Sequence, residues 1–482
     1  MTAEIIALLS VLVHVALQVS FVVRAILRPH REASSRAAWV LVLLTLPIVG
    51  MIAYVLFGET NIGQKRLEKY REVADLTAGE IAHALREGRF EAVEEPYRHL
   101  FRLGQSVNGL GPLPGNAGEV LADTNSAFDA LVADIDAARD TVHLMFYIWL
   151  GDSNGRRVAE AAIRAARRGV TVRVMADDIG SRAFVRSDTW REMEKAGVKV
   201  AAALPVRHPL LHPIRGRVDL RNHRKIVVID NAIAYAGSAN CADPEFRIKA
   251  RYAPWVDIMM RFEGPVAVQM QYIFIQDWMT HTDENLIPLI RDVQLPPGNT
   301  GAVAQVIGTG PTIRPSAMPE MFEVLIHAAR KDLVISTPYY VPSDSMHDAV
   351  CSAARRGVRT SLIVPEKNDS WIVAAASRSY YPELVHAGVR IFEYPNGLLH
   401  AKILTLDEEV SLIGSANLDR RSFELNYENN VLLEDAELTS RLVERQEDYL
   451  AVSRPIDAAT IAGWTKRQRL WHNAVAMMGP VL

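Results

Sequence analysis

The sequence predicts an α/β protein with two tandem lobes, each a mixed sheet flanked by helices, related by a pseudo-twofold axis and preceded by a two-helix transmembrane hairpin. Two observations predict this fold. Beyond residue 116 the sequence contains an internal repeat, and each copy predicts alternating helices and strands that end in a strand hairpin. Two long apolar runs precede that repeat. We predict four units: the hairpin at 1–60, a charged helical linker at 61–115, lobe 1 at 116–294 and lobe 2 at 295–482.

The first unit consists of two apolar runs, Ile5 to Val23 and Ala37 to Phe57. Each is long enough to cross a bilayer as a helix, which takes about 20 residues. A cleaved signal peptide would have a shorter apolar stretch and no second one, so we expect a retained hairpin. Two spans would place both chain ends on the same side of the membrane. A buried helical hairpin in a soluble domain is the alternative.

Charge leaves the orientation of this hairpin open. Four arginines between residues 24 and 36 favour a cytoplasmic turn, whereas four basic residues between 65 and 71 favour the reverse. The whole chain has a formal net charge of −3, so no overall basic field attracts nucleic acid. Two cysteines are too few for a disulfide framework.

The repeat is clearest in two helix–strand units, AARRGVTVRVMAD from Ala165 and AARRGVRTSLIVP from Ala353. Each predicts a helix that ends at a glycine, Gly169 or Gly357, and is followed by a strand rich in β-branched residues. The Pro- and Gly-rich run at 295–310 is the predicted seam between the lobes. Because the period is far too long for a solenoid, we interpret the repeat as the duplication of a whole domain.

A third repeated stretch carries the candidate chemistry. Lobe 1 reads NHRKIVVIDNAIAYAGSAN and lobe 2 reads HAKILTLDEEVSLIGSAN, which share the pattern His-x-Lys-x4-Asp-x6-Gly-Ser-x-Asn. Side chains two apart on a strand share a face, so each histidine and its lysine point into one site. The aspartates have the opposite parity and lie where the hairpin turns, so we expect them to be structural. The candidate catalytic residues are the motif members His223, Lys225, Asp230, His400, Lys402 and Asp407, and the candidate substrate donors are Ser238, Asn240, Ser415 and Asn417.

Two histidines, two lysines and two asparagines together suit a phosphodiester. The lysines and asparagines can hold the nonbridging oxygens and stabilise the charge of the transition state. One imidazole can attack phosphorus while the other protonates the leaving alcohol. We predict no metal and no cofactor, because the lysines take the part of a divalent cation. Since each lobe supplies one histidine, the lobes must meet face to face.

Each histidine needs an acceptor for its second ring nitrogen. Matching apolar strands follow the two motifs, and their alignment pairs Asp257 with Glu428. We expect Asp257 to orient His223 and Glu428 to orient His400. Ordinary surface carboxylates are the alternative.

At these residues the sequence resembles the phospholipase D superfamily, whose His-x-Lys-x4-Asp signature stands here twice and intact. Three further stretches extend the resemblance to the bacterial cardiolipin synthases: AWVLVLLTLPIVGMIAYVLFGE in the second apolar run, TPYYVP from Thr337 and SANLDRRSFELNYENN from Ser415. The similarity runs over nearly the whole chain. It implies two phospholipase D-like α/β lobes.

The resemblance also implies a transphosphatidylation in a bacterial inner membrane. One phosphatidylglycerol would give a phosphatidyl-histidine and release glycerol, and a second would resolve this intermediate to cardiolipin. In that superfamily the N-terminal histidine is usually the nucleophile, which assigns attack to His223 and acid–base catalysis to His400. Because the motifs are equally complete, the reverse assignment stays open. The implied partners are phosphatidylglycerol and cardiolipin and no nucleic acid, with a homo-oligomer left open.

Lipid access has three candidate segments. The loop from Val206 to Arg221 mixes arginines with leucines, which predicts an interfacial loop, a solvated loop being the alternative. Arg420 and Arg421 are candidates for binding a second phosphate, with a salt bridge to nearby acidic residues as the alternative. The C-terminal KRQRLWHNAVAMMGPVL combines basic and apolar residues and is a candidate membrane contact.

Three other functions remain to be weighed. A phosphodiesterase or nuclease would use the same histidines, but the apolar hairpin and the negative net charge disfavour it. A hydrolytic phospholipase D or a phosphatidylserine synthase would share the lipid chemistry, and only the wider resemblance separates them from a cardiolipin synthase. A non-enzymatic membrane scaffold would have no reason to keep both motifs whole.

Overall fold

The computed structural model describes residues 2–29, 32–59, 62–81, 83–206, 216–291 and 300–477. The helices are α1 Thr2–Leu27, α2 Ala33–Thr45, α3 Pro47–Phe57, α4 Gln64–Glu80, α5 His83–Glu87, α6 Arg98–Asn108, α7 Thr124–Ala137, α8 Ser153–Arg167, α9 Arg182–Val185, α10 Asp188–Lys195, α11 Pro265–His281, α12 Pro288–Arg291, α13 Ala317–Ala328, α14 Asp344–Arg355, α15 Trp371–Ser379, α16 Tyr381–Ala387, α17 Arg420–Glu424, α18 Ala436–Val452, α19 Ala458–Ala462 and α20 Lys466–Ala476.

The strands are β1 Leu113–Val120, β2 Thr141–Phe146, β3 Thr171–Asp177, β4 Lys199–Ala203, β5 Arg221–Asn222, β6 Ile226–Ile229, β7 Ile233–Gly237, β8 Trp255–Val256, β9 Met259–Glu263, β10 Ala302–Thr309, β11 Asp332–Ser336, β12 Tyr340–Val341, β13 Arg359–Pro365, β14 Arg390–Tyr394, β15 Leu398–Leu399, β16 Ile403–Leu406, β17 Val410–Gly414, β18 Leu418–Asp419, β19 Asn426–Glu434 and β20 Arg454–Ile456.

The two apolar runs at the N-terminus fold differently from each other. α1 provides a 25-residue apolar helix, Ala3–Leu27, that is long enough to cross a membrane. The second run, predicted as one helix, is instead broken at Leu46 into α2 and α3, of 13 and 11 residues. Pro47 causes the break, because it lacks an N–H for the preceding helix and favours the first position of a new one. The two-helix hairpin is therefore only partly formed.

α3 folds back along α2 and does not continue it. The rings of Trp39 and Tyr54 lie 5.2 Å apart between centroids, whereas the same residues in one straight helix would lie about 22 Å apart. The two helices approach so closely that a Cβ on Gly50 would stand 2.6 Å from the carbonyl oxygen of Val42. The position therefore requires glycine. Most large apolar side chains of this unit point outward, as lipid contact would allow.

The two lobes share one topology, as the repeat predicts. In lobe 1 the strand order is β1-β9-β7-β6-β2-β3-β4, and in lobe 2 it is β10-β19-β17-β16-β11-β13-β14, with β20 added at the edge. The two orders correspond strand by strand. β1 and β10 pair antiparallel at the centre, so the lobes form one continuous 16-stranded sheet. The antiparallel pairing is what a twofold axis between two copies produces.

Helices cover both faces of this sheet. α11 and α18 occupy equivalent positions, directly after β9 and β19, and both pack into one core with apolar residues from the two lobes. On the opposite face, α7, α8 and α10 cover lobe 1, while α13, α14 and α16 cover lobe 2. α11 is buried along nearly its whole length, because it lies under the junction of the two lobes. This arrangement fixes the ends of the motif strands relative to one another.

Candidate active site

Two short parallel strand pairs join the motifs across the lobes. β5 of lobe 1 pairs with the start of β19 of lobe 2, and β15 of lobe 2 pairs with β8 of lobe 1. The backbone N–H of His223 donates to the carbonyl of Tyr427 at 2.9 Å, and that of His400 donates to the carbonyl of Val256 at 2.8 Å. Each histidine therefore lies beside the carboxylate that follows in the other lobe.

The carboxylates cross between the lobes. His223 Nδ1 is 2.8 Å from Glu428 Oε2, and His400 Nδ1 is 2.6 Å from Asp257 Oδ1. The predicted pairing of Asp257 with His223 and Glu428 with His400 is therefore wrong, although both residues lie where orienting groups are needed. The prediction paired each carboxylate with the motif that precedes it in the chain. The exchanged strand pairs between the lobes bring the other partner closer.

The two serines hold these carboxylates. Ser238 donates its hydroxyl to Asp257 Oδ1 at 2.6 Å, and Ser415 donates to Glu428 Oε2 at 2.5 Å. Each hydroxyl also accepts a backbone N–H, from Ile258 or its counterpart in lobe 2. Ser238 and Ser415 were predicted to donate to the substrate, and the structure corrects this because each single hydroxyl proton is already committed.

The two lysines lie beside their own histidines. Lys225 Nζ donates to the carbonyl of His223 at 2.7 Å, and Lys402 Nζ donates to that of His400 at 2.6 Å. Both side chains are buried. Burial lowers the pKa of Lys225 to about 8, against the opposing effect of Glu428. Burial, together with a smaller effect of the charge of Lys225, lowers the pKa of Lys402 to about 7. The two ammonium groups are thus close enough to repel each other.

The imidazoles are held neutral and oriented. Burial lowers the pKa of His223 to about 4 and also lowers that of His400. Burial alone would raise the pKa of Asp257, but its interactions with His400 and the charge of Lys402 bring it down to about 2. Glu428 likewise has a lowered pKa, since His223 and Lys225 outweigh its burial. An ionised carboxylate accepts the Nδ1–H, which leaves the Nε2 lone pair of each ring available.

The motif aspartates hold turns, as their parity predicts. Asp230 accepts the backbone N–H groups of residues 139–141, and Asp407 accepts those of residues 330–332. Both residues have positive φ, of 50° and 55°, and aspartate tolerates this conformation better than most residues. Neither carboxylate has a hydrogen bond to a histidine or lysine side chain in the described part of the chain.

The asparagines keep part of their capacity for a ligand. Asn240 Oδ1 accepts the backbone N–H of Ile148 at 3.2 Å. Asn417 donates its backbone N–H to Ser422, while its Oδ1 is buried with no hydrogen-bond partner among the described residues. A buried, unsatisfied amide oxygen is costly, and its cost is recovered when a ligand supplies a donor.

The candidate phosphate-binding arginines lie at the rim. Arg420 forms an ion pair with Glu32, at 2.5 Å, immediately before α2. Arg421 is exposed and donates to the backbone carbonyl of Asp219 at 3.2 Å. Arg420 thus joins the lobes to the apolar unit, whereas the guanidinium of Arg421 keeps most of its donors available.

Much of the predicted interfacial loop, residues 207–215, lies outside the described residues. The described C-terminal part of this loop, from residue 216 onward, is held against the rest of the protein by its arginines. Arg217 pairs with Asp219 at 2.5 Å and donates to the carbonyl of Phe57, the last residue of α3, at 2.8 Å. Arg221 pairs with the buried Asp177 at 3.1 Å.

Sequence reasoning missed Arg224, which stands between His223 and Lys225. Its guanidinium is buried, pairs with Asp277 of α11 at 2.7 Å and donates to the carbonyls of Thr309 and Glu428 in lobe 2. The sequence did contain a signal for Arg224, namely a difference between the two motifs: Ala401 stands in the second motif where Arg224 stands in the first. Two aromatic neighbours were also missed.

Those aromatic neighbours line the two histidines. The ring of Tyr147 lies 4.8 Å from that of His223, and the ring of Trp255 lies 4.6 Å from that of His400. They close the apolar sides of the imidazoles. Among the described residues, no group of three or more His, Cys, Asp or Glu side chains is arranged to hold a metal ion.

Comparison with known proteins places this geometry in a family. A family model described as "Cardiolipin synthase, PLD-like domain" matches residues 131–278 and 323–449, and one described as "Phospholipase D-nuclease N-terminal" matches residues 16–59. Cardiolipin synthase A of Serratia proteamaculans is 40% identical over 93% of this chain and 92% of that protein. Cardiolipin synthase A of Klebsiella pneumoniae is 39% identical over 93% and 92%.

A solved structure agrees on the fold. The phosphatidylserine synthase of Haemophilus influenzae superposes with a TM-score of 0.58, covering 80% of this chain and 100% of that one, at 16% sequence identity. At that identity the likeness concerns the fold alone. Together with the matched family models and the curated relatives, these findings show that the chain belongs to the family of cardiolipin synthases with phospholipase D-like domains.

Proposed function

We propose that this chain is a cardiolipin synthase, a phosphatidyltransferase that moves the phosphatidyl group of one phosphatidylglycerol onto another and releases glycerol. The observation that carries the proposal is the pair of oriented histidines, His223 on Glu428 and His400 on Asp257, flanked by two buried lysines. The names of the curated relatives support the choice of lipid substrate. The resemblance noted in the sequence supports it too.

In the first step His223 Nε2 attacks the phosphorus of a bound phosphatidylglycerol. The bond from phosphorus to the glycerol oxygen breaks, and the imidazolium of His400 gives its Nε2 proton to that oxygen, releasing glycerol. Glu428 keeps the His223 proton on Nδ1 and stabilises the charge that its ring gains. The phosphate anion itself favours protonation of His400, whose pKa is lowered in the unliganded site.

In the second step His400 acts as the base. Its Nε2, now unprotonated, takes the proton from the terminal hydroxyl of a second phosphatidylglycerol, and the oxygen attacks the phosphohistidine. The bond between phosphorus and His223 Nε2 breaks, and cardiolipin leaves. Lys225 and Lys402 stabilise the nonbridging oxygens in both steps, with Asn240 and Asn417 as further donors. Arg421 is a candidate for holding the phosphate of the second lipid.

The reverse assignment of the histidines remains a test. Because the site is nearly symmetric, a trapping experiment decides the roles. The His400→Ala variant should accumulate a phosphoenzyme labelled on His223, because resolution without its base is slower than formation. Accumulation in the His223→Ala variant would reverse the roles.

We propose that the protein works in the bacterial inner membrane, with α1 as the crossing helix. α2 and α3 are too short to cross separately, since a helix of 13 residues is only about 20 Å long. Homologues named as cardiolipin synthases support a membrane substrate.

Product analysis tests the function. The full chain, reconstituted in nanodiscs with phosphatidylglycerol alone, should yield cardiolipin and glycerol in equal amounts. Phosphatidic acid as the sole lipid product would point to a hydrolase instead. Product formed only when serine and a cytidine-activated lipid are added would point to a phosphatidylserine synthase.

A further inference from the structure

Large exposed apolar side chains of the catalytic lobes concentrate in one place. Ile248, Trp371, Leu470 and Trp471, here called the tryptophan surface, are exposed by 60%, 61%, 72% and 51%. The rings of Trp371 and Trp471 stack with centroids 5.6 Å apart, which joins the start of α15 to α20. Ile248 lies on a turn that Lys249 ties to Asp369, two residues before Trp371. A cluster of this kind marks an interaction site more often than chance exposure.

Positive charge borders the tryptophan surface. Lys466 and Arg467 stand one helical turn before Leu470 and Trp471, at i and i+4, and therefore lie on the same face of α20. Arg247 and Arg251 flank Ile248. All four basic side chains are exposed, and none forms an ion pair within the described part of the chain. Tryptophan with lysine and arginine is the composition of segments that sit at the level of lipid headgroups.

A short series of neighbouring side chains leads from this surface toward His223. Asp369, which pairs with Lys249, also accepts the hydroxyl of Tyr339 at 2.7 Å. Burial raises the pKa of Tyr339, and the nearby groups Asp369, Asp419 and Tyr147 raise it further. The ring of Tyr147 packs against His223. The surface thus lies within a few side chains of His223.

The same helix that carries Trp371 also approaches the apolar N-terminal unit at its other end. α15 begins at Trp371 and is capped by Tyr380. The pKa of Tyr380 is raised chiefly by burial, and it is also influenced by the charges of Arg420 and Glu32. Those two residues form the contact between the lobes and the start of α2. One end of α15 therefore borders the membrane unit and the other end carries the exposed indole.

We propose that the tryptophan surface docks on the bilayer surface, with its apolar side chains among the acyl chains and its basic border on anionic phosphate headgroups. The charge border favours a bilayer over a second copy of the chain, because four like charges would oppose each other across a twofold interface. This attachment goes beyond the proposed reaction and does not depend on it. It would hold the catalytic lobes against the layer that contains the lipid substrate.

Depth measurement tests the proposal on the full chain. Leu470→Cys, labelled with bimane, is compared in nanodiscs with Val452→Cys, an exposed apolar position on α18 at the other face of the sheet. The native cysteines Cys241 and Cys351 are buried, and burial raises the pKa of both thiols, so the label reacts at the introduced cysteine. Lipids brominated on the acyl chain should quench the label at 470 several-fold more than the label at 452.

Charge and oligomerisation complete the test. Lys466→Glu with Arg467→Glu should lower the quenching at 470 in nanodiscs that contain phosphatidylglycerol, while Glu444→Lys, an exposed change on α18, should not. Equal quenching at 470 and 452 would overturn the proposal. A second result would also overturn it: quenching by acyl-chain bromine that is absent with one protein per disc and appears only with two. That result would assign the surface to a second copy of the chain.

Discussion

The two halves of the site share their chemistry and differ in their surroundings. The first half-site, His223 with Lys225 and Glu428, is fixed from below by the buried Arg224–Asp277 pair. The second half-site, His400 with Lys402 and Asp257, has Ala401 in that position and Trp255 against its imidazole. Duplication thus preserved the reacting groups and let the supports diverge. The difference gives each histidine a separate environment in which distinct roles can be measured.

Removing either imidazole should have the largest effect. His223→Ala and His400→Ala should each lower kcat by about 10⁴-fold or more, because nucleophile and acid–base are lost as a unit. Turnover of the full chain on phosphatidylglycerol in nanodiscs measures this. If both variants lose kcat equally, this measurement does not distinguish the two halves of the site. The trapping experiment then distinguishes their roles.

The crossed carboxylates provide the next comparison. Glu428→Gln should slow formation of the phosphoenzyme by about 10²–10⁴-fold, because the His223 ring loses its orientation and charge partner. Asp257→Asn should impair formation less than this and should mainly slow resolution of the phosphoenzyme to cardiolipin, for which His400 is the base. Rapid-quench measurement of the two steps distinguishes them. If Asp257→Asn impaired the attack by His223 as severely, the half-sites would not act separately.

The support beneath the first half-site should matter for stability. Arg224→Ala leaves Asp277 buried without its cation, which should lower the free energy of unfolding by about 3–5 kcal/mol. Arg224→Met with Asp277→Leu removes both charges and should recover most of that loss. Denaturant unfolding of the full chain in detergent measures both. Ala401→Ser is the matched control in the second half-site. An equal loss in the free energy of unfolding there would show that the two half-sites do not differ in the support at this position.

The two lysines differ in pKa, and pH should reveal it. Because Lys402 titrates at about 7 and Lys225 at about 8, kcat/KM should fall as pH rises through this range and the ammonium groups lose their charge. Lys402→Arg remains charged, so the fall at the lower pH should disappear even if the activity is reduced. A pH profile from 5 to 10 checks this, and an unchanged profile would assign the titration to another group.

The turn aspartates should have the smallest effect on chemistry. Asp230→Asn and Asp407→Asn each weaken acceptance of backbone N–H groups, which should lower the free energy of unfolding by about 1–3 kcal/mol. kcat measured well below the melting temperature should stay within a few-fold of the parent, in contrast to the histidine variants. A loss of kcat as large as that of the histidine variants would give these aspartates a direct part in the reaction.

Much of this site could be predicted from the repeat. Strand parity places His223 beside Lys225 and moves Asp230 to the turn, because alternation in a strand is a local property. The partner of each carboxylate could not be predicted, since it depends on β5 and β8 pairing across the lobes, far apart in sequence. The predicted role of the two serines was wrong for the same reason. A hydroxyl that can serve a ligand or a carboxylate is assigned only when the neighbouring strand is known.

The N-terminal unit shows a second limit. Apolar length alone predicts that the run from Ala37 to Phe57 crosses a membrane, but one proline within it redirects the chain. The length of an apolar run shows whether a continuous helix could cross a membrane. Whether the run forms one continuous helix depends on breaks such as the one at Pro47. The linker and seam boundaries at 115 and 295 remain predictions.

With α1 as the crossing helix, as we propose, the fold-back of α3 on α2 makes the crossing count of the chain odd and not even. Arg28, just after α1, and Arg36, in the first turn of α2, then lie on the same side as Lys65 at the start of α4. In this proposed arrangement, two clusters that would oppose each other in a hairpin of two spans act together, because both flank the same leaflet. By the rule that places such clusters inside the cell, the first residue and the catalytic lobes would lie in different compartments, with lipid synthesis on the cytoplasmic leaflet.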